Sequence, residues 1–134
     1  YALSNLGRFL NQFGTDSPTQ NSDIPANAEF FDLMSELMHL IKIHNAWFSF
    51  ENQQFTYKEW ASVLTEENLK AWVKPYTIPV ENPKTVALIL GDKTPLSGFH
   101  DFVSVLISGH KAQVRLSENN NQLLPLFDCS RSKY

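Results

Sequence analysis

Thr85-Val86-Ala87-Leu88-Ile89-Leu90 is a short, unbroken apolar block, and together with residues 91–116 it constrains the fold more than any other part of the chain. A run of this length, bounded by a glycine-containing turn, suits a strand buried on both faces of a parallel sheet. Gly91-Asp92-Lys93-Thr94-Pro95 is turn chemistry, and Ser97 is placed to cap a helix. Phe99, Phe102, Val103, Leu106 and Ile107 then recur at helical spacing until Gly109 closes the segment. Ala112 to Leu116 alternates like a second strand, and Ser117-Glu118-Asn119-Asn120 opens a final helical segment through Leu124. Strand, helix, strand in this order predicts a βαβ unit with a right-handed crossover.

Upstream, the period changes from two to about three and a half. Leu3, Leu6, Phe9, Leu10 and Phe13 fall on one face of a helix that Gly14 ends. The stretch TDSPTQNSDIPAN, residues 15–27, is polar and carries two prolines, so it reads as a surface loop, with Asn27 able to cap the next helix. Phe30, Met34, Leu37, Met38 and Ile41, with Phe31, Leu33 and Leu40 beside them, predict a largely buried helix to about Ile43. Thr56-Tyr57-Lys58-Glu59 has the form of a capping box opening a helix to Val63, and Thr65-Glu66-Glu67 repeats the start signal ahead of Leu69, Trp72 and Val73. Pro75 stops that helix, and the proline-punctuated segment from Tyr76 to Pro83 is expected to be extended. The expected organisation is an N-terminal helix and polar loop over 1–27, a helical region over 28–80, the βαβ portion over 81–127 and a tail over 128–134. The fold class is α/β.

Composition narrows the function classes. A length of 134 residues fits one modest domain or a piece of a larger one. With 43% hydrophobic and 19% charged residues the chain is an ordinary globular one. A formal charge of -3 offers no polycationic footprint, which argues against nucleic acid as a partner. Cys129 is the single cysteine, and the four histidines at 39, 44, 100 and 110 build no zinc pattern, so the expectation is a reducing compartment and no metal. No apolar stretch approaches the roughly 20 residues of a membrane span, so the chain reads as soluble and cytoplasmic.

Two pieces, LILGDKTPLSGFHDFVSVLISG and GHKAQVRLSENNNQLLP, stand in the order and near the separation found in the cofactor half of the aldehyde dehydrogenase superfamily. The chain most closely resembles the LuxC-type acyl-CoA reductase branch, which carries a similar PLxGFHDF, LISGHK and Leu-Ser stretch. The upstream segments WFSFENQQF and LTEENLKAWV look like that branch too, and the resemblance covers most of residues 28–125. It implies N-terminal helices followed by a Rossmann-like βαβ unit of aldehyde-dehydrogenase type, truncated before the rest of the enzyme. It also implies reduction of a fatty acyl-CoA, through an acyl thioester on a cysteine, to the aldehyde with hydride from NADPH, NADH being the alternative donor.

On the same resemblance, Arg115 at the end of the second strand and Glu118 three positions on hold the adenosine ribose, with the helix start at Ser117 offering free amides. The backbone from Ile89 through Leu90 and Gly91 to Asp92 lines the other side of the dinucleotide. Such a placement is physically sensible, since ligands of open α/β sheets bind outside the carboxyl ends of the strands. Lys93 stands where the family has an asparagine that stabilises the oxyanion of the thiohemiacetal; an ammonium can still donate there, with different length and charge. The superfamily does not use the GxGxxG fingerprint, and this chain lacks it. The family's nucleophile lies far downstream, so Cys129 is a bystander by position.

Plainer readings stand beside these. Without the resemblance, Arg115 and Glu118 are a solvated strand end and a first-turn acid, and Lys93 is a loop solubiliser. His100 and Asp101, adjacent on a helix, point about 100° apart, so His100 reads as a packed or capping residue rather than one half of an acid–base pair. His39 and His44 read as structural. Trp47, Trp60 and Trp72 serve either a substrate acyl chain or as anchors fastening helices to the sheet. The Phe30 to Ile41 stripe is core, an acyl groove or a partner-helix face. The alternative function is therefore a non-catalytic helical interaction module, which requires the βαβ reading to be wrong. A βαβ unit lacking its later strands is also expected to expose an apolar edge and to self-associate.

Overall fold

The computed structural model describes residues 2–25, 27–91 and 93–116. Leu3, Leu6, Phe9 and Leu10 share the inner face of helix α1 (Ala2–Asn11), and Phe13, two residues past its end, is buried with them. Helix α1 lies along α3 (Phe50–Val63). At Gly7 the chain comes close to the end of α3: a Cβ there would stand 2.8 Å from both the Cβ and the carbonyl oxygen of the capping residue Leu64.

The polar loop is tied down by two side-chain amides. Gln12 and Asn27 exchange a pair of 2.8 Å hydrogen bonds, and Asn27 also donates to the Asn21 carbonyl at 2.7 Å. Asn27 is therefore not the expected cap: it is a buried residue in the first turn of α2 (Asn27–His44), its amide already used on the loop. Helix α2 is also less covered than its stripe implies. Met34, Met38 and Ile41 are buried, but Leu33, Leu40 and Ile43 face solvent, because the helix meets its neighbours along one side only.

A 3-10 turn (Ala46–Phe48), capped by the Asn45 side chain, leads into α3. Here the capping box at Thr56–Glu59 is corrected. Helix α3 starts earlier, at Phe50, where the Ser49 hydroxyl accepts from the Asn52 N–H, and Thr56 sits mid-helix with its hydroxyl donating to the Asn52 carbonyl at 2.8 Å. The reason lies at Gln53 and Tyr57, one turn apart and both fully buried. Gln53 Nε2 donates to the carbonyls of Met38 (3.0 Å) and Phe48 (2.7 Å), and the Tyr57 hydroxyl donates to Gln53 Oε1 at 3.1 Å. A helix beginning at Thr56 would leave these groups buried outside regular structure. Helix α4 (Glu66–Val73) comes next, capped by Thr65 as expected, with the Glu66–Lys70 ion pair on its exposed side; that contact lowers the Glu66 pKa.

Residues 76–83 are irregular and bent rather than extended. Strand β1 (Thr85–Ile89) and strand β2 (Lys111–Arg115) then pair in parallel, joined by α5 (Phe99–Ile107). The architecture is mixed α/β: five helices and a two-stranded parallel sheet among the described residues. Burial on both faces of β1 is corrected, however. Both strands alternate, with Leu88, Ala112 and Val114 packed against the core, Val86 half-buried and Ile89 84% exposed, since α5 covers one face of the pair. The tryptophans are corrected as well. Trp60 meets Phe99 edge-on at 4.7 Å and Trp72 stacks on His100, so they fasten α3 and α4 to α5 rather than to the sheet, while Trp47 is exposed. The expected helix after Ser117 and the tail with Cys129 lie outside the described residues. Among the described residues no helix is long and apolar enough to cross a membrane.

Gly7→Ala tests the α1–α3 contact through its sign. Alanine ordinarily favours a helix over glycine, yet here overpacking against Leu64 should cost about 1–3 kcal/mol, read from urea unfolding midpoints. A stabilised variant would show that α1 does not lie against Leu64. Burial also pushes the Tyr57 phenol well above the usual tyrosine range. The folded state thus holds that proton more tightly than the unfolded chain, so stability is full below about pH 10 and falls as pH rises further. Tyr57→Phe should cost about 1 kcal/mol at neutral pH, by leaving Gln53 Oε1 without its donor, and should lessen the alkaline loss in a pH series of unfolding curves.

Candidate functional site

The register of the two strands builds the site. Thr85 stands opposite Lys111 and Ile89 opposite Arg115, so both carboxyl ends finish level. One residue on, the Leu90 N–H donates to the Arg115 carbonyl at 3.1 Å, extending the join to the rim. Leu90 turns its side chain into the core, leaving backbone to line the rim there, while Ile89, Gly91, Lys93 and Arg115 are exposed.

The chain leaves β1 through a tight turn. The Ser97 N–H donates to the Thr94 carbonyl and the Phe99 N–H to the Leu96 carbonyl, with Pro95 and Leu96 buried beneath. Ser97 is not the helix cap: Gly98 holds that position in a left-handed conformation (φ 77°), without a side-chain cap bond. Only glycine fits, because a Cβ there would lie 2.5 Å from Leu90 Cδ2 as well as demanding positive φ. Sequence reasoning missed this residue. The signal was the glycine immediately before the apolar helical run, outweighed by the nearby serine. The turn thus delivers the first turn of α5, the positive end of its dipole, to the same rim as the strand ends.

Electrostatics at this end differ from the chain as a whole. Among the described residues at this end, Lys93 and Arg115 stand with a single carboxylate, Asp101 in the first turn of α5, whereas the whole chain is net acidic. Asp101 is adjacent to His100, its Oδ1 3.7 Å from Nδ1, and both side chains are exposed. His100 also stacks on Trp72 at 5.4 Å between ring centroids, so it is packed as expected on one face only.

Of the residues singled out in the sequence, Ile89 and Leu90 stand beside Arg115 at one rim, and Gly91 and Lys93 are exposed on the chain that leaves it. Asp92, Ser117 and Glu118 lie outside the described residues. An open hollow of about 850 Å³ lies elsewhere, lined by Asn11, Gln12, Asp16 and their neighbours in the polar loop, and none of the predicted site residues reaches it. Among the described residues no group of three or more His, Cys, Asp or Glu side chains is placed to hold a metal ion. Set against known proteins, the chain matches no family model, and no curated protein or solved structure matches it significantly.

Gly98→Ala should destabilise the rim by about 1–3 kcal/mol from strain alone, with the Leu90 clash added. Thermal unfolding of the variant measures it, and a melting temperature equal to that of the parent chain would contradict the left-handed turn.

Proposed function

We propose that this chain is the cofactor-binding part of an NADPH-dependent fatty acyl-CoA reductase of LuxC type, with the nucleophilic cysteine outside these 134 residues. The observation that carries the reading is the level finish of two parallel strands, sealed by the Leu90–Arg115 hydrogen bond, with a glycine turn and a helix start on the same rim. That is the end at which open α/β sheets take nucleotides. Arg115 offers a planar fork of donors suited to a ribose 2′-phosphate, which favours NADPH over NADH. The backbone at Gly91 lies along the other side of the dinucleotide, and Lys93 offers an ammonium to a developing oxyanion.

The bound cofactor supplies the hydride that converts the acyl thioester to aldehyde. Glu118 and Ser117 complete the ribose site in this reading, with the Asp92 backbone beside Gly91. A reducing cytoplasm keeps the thiol nucleophile free. The exposed Ile89 on the open face of β1 supports the expectation that isolated chains associate through the incomplete sheet. A second reading, a helix-docking module, draws on Leu33, Leu40 and Ile43 exposed along α2.

Calorimetric titration with NADPH and NADH tests the proposal. NADPH should bind more tightly than NADH, and Arg115→Ala should weaken NADPH by about ten- to a hundredfold, the value of a hydrogen bond between charged groups. Lys93→Ala should leave nucleotide binding nearly unchanged. No heat with either nucleotide at about millimolar concentration would sink the reading for this chain.

A further inference from the structure

At the opposite rim of the sheet, the chain enters β1 through a contact that depends on a titratable ring. The Lys84 backbone N–H donates to His110 Nδ1 at 3.1 Å, and the Lys84 carbonyl accepts from the Lys111 N–H at 2.9 Å, just before the first paired residues Thr85 and Lys111. An imidazole nitrogen thus stands beside the first rung of the ladder and receives its incoming amide. The placement is built rather than incidental. Gly109, at φ 86°, turns the chain out of α5, with room for a Cβ only 3.2 Å from Pro79 Cβ, and the Val80 N–H donates to the Ser108 carbonyl at 3.3 Å. Residues 79–84 are in this way laid along 108–111.

We propose that His110 is a proton-operated latch on the amino-terminal rim of the sheet, closed on the Lys84 amide while the ring is neutral and released when it is protonated. An imidazole accepts at Nδ1 only while that nitrogen keeps its lone pair, and the imidazolium carries hydrogen on both nitrogens. Protonation therefore sets donor against donor, and the Lys84 amide turns to water. The elements that meet here bring few other charges. The incoming segment carries Glu81 and Lys84, β2 opens with Lys111, and α5 presents its last turn, with His100 and Asp101 at its far end. All five side chains are exposed, and among the described residues none makes an ion pair with His110. The response accordingly runs through the backbone amide rather than through a neighbouring charge.

Amide exchange on the ¹⁵N-labelled 134-residue chain, followed from about pH 8 to pH 5 alongside the His110 ring protons, tests the latch. After correction for intrinsic exchange, Lys84 protection should fall by roughly three- to tenfold, the value of one exposed hydrogen bond, with the midpoint of the His110 titration. The Lys111 amide should follow it. His110→Phe should show the low Lys84 protection at every pH, whereas His100→Gln should keep the parent behaviour. Lys84 protection that stays constant while His110 titrates would overturn the inference, as would an unchanged pH response in His110→Phe. The ring tautomer gives an independent reading on the parent chain. At high pH the ¹⁵N shifts must show hydrogen on Nε2, and hydrogen on Nδ1 would refute the latch.

Discussion

The buried amide of Gln53 is the constraint on which the helical part depends. A side-chain amide with no exposure must find all its partners inside, and it finds them on three separate pieces of chain: the Met38 carbonyl in α2, the Phe48 carbonyl in the 3-10 turn and the Tyr57 hydroxyl one turn along α3. Apolar packing alone would tolerate α3 sliding or rotating against α2, because it is not directional. The amide does not tolerate this, since each displaced bond leaves a buried polar group unsatisfied. Helix α3, fixed in this way, becomes the reference for the rest. It offers Leu64 to Gly7 of α1 on one side and Trp60 to Phe99 of α5 on another.

The link from helices to sheet therefore runs through aromatic rings at the start of α5. Phe99 is fully buried between Trp60 and Phe102, and the neighbouring His100 rests on Trp72. These contacts hold the residue immediately after Gly98, so the same cluster sets where the turn from β1 ends. The geometry of the rim at Gly91, Lys93 and Arg115 is in this sense inherited from α3 and α4.

Most elements were legible because their signals are local. Thr65 announced α4, the period of Leu3, Leu6, Phe9 and Leu10 announced α1, and the apolar block at 85–90 announced β1, with boundaries off by no more than two residues. What was not legible depended on distant partners. Thr56-Tyr57-Lys58-Glu59 has the pattern of a capping box, but the pattern carries no record of Met38 and Phe48 waiting for an amide at Gln53. Asn27 looks like a cap until Gln12, fifteen residues back, claims it. In the candidate site the cationic residues and the strand ends were readable, whereas the left-handed Gly98 depended on the position of Leu90 Cδ2, which no spacing encodes.

The alternation of β2 has a consequence for register. Strand β1 is apolar at nearly every position, so sliding it by one residue exchanges one greasy face for another at little cost. Strand β2 has no such freedom, because Lys111, Gln113 and Arg115 occupy the outer face and a one-residue slip would drive all three toward α5. The pairing is thus indexed by the polar strand rather than by the apolar one. Arg115 carries two duties at once: the charge it shows to solvent also tells the sheet where to stop.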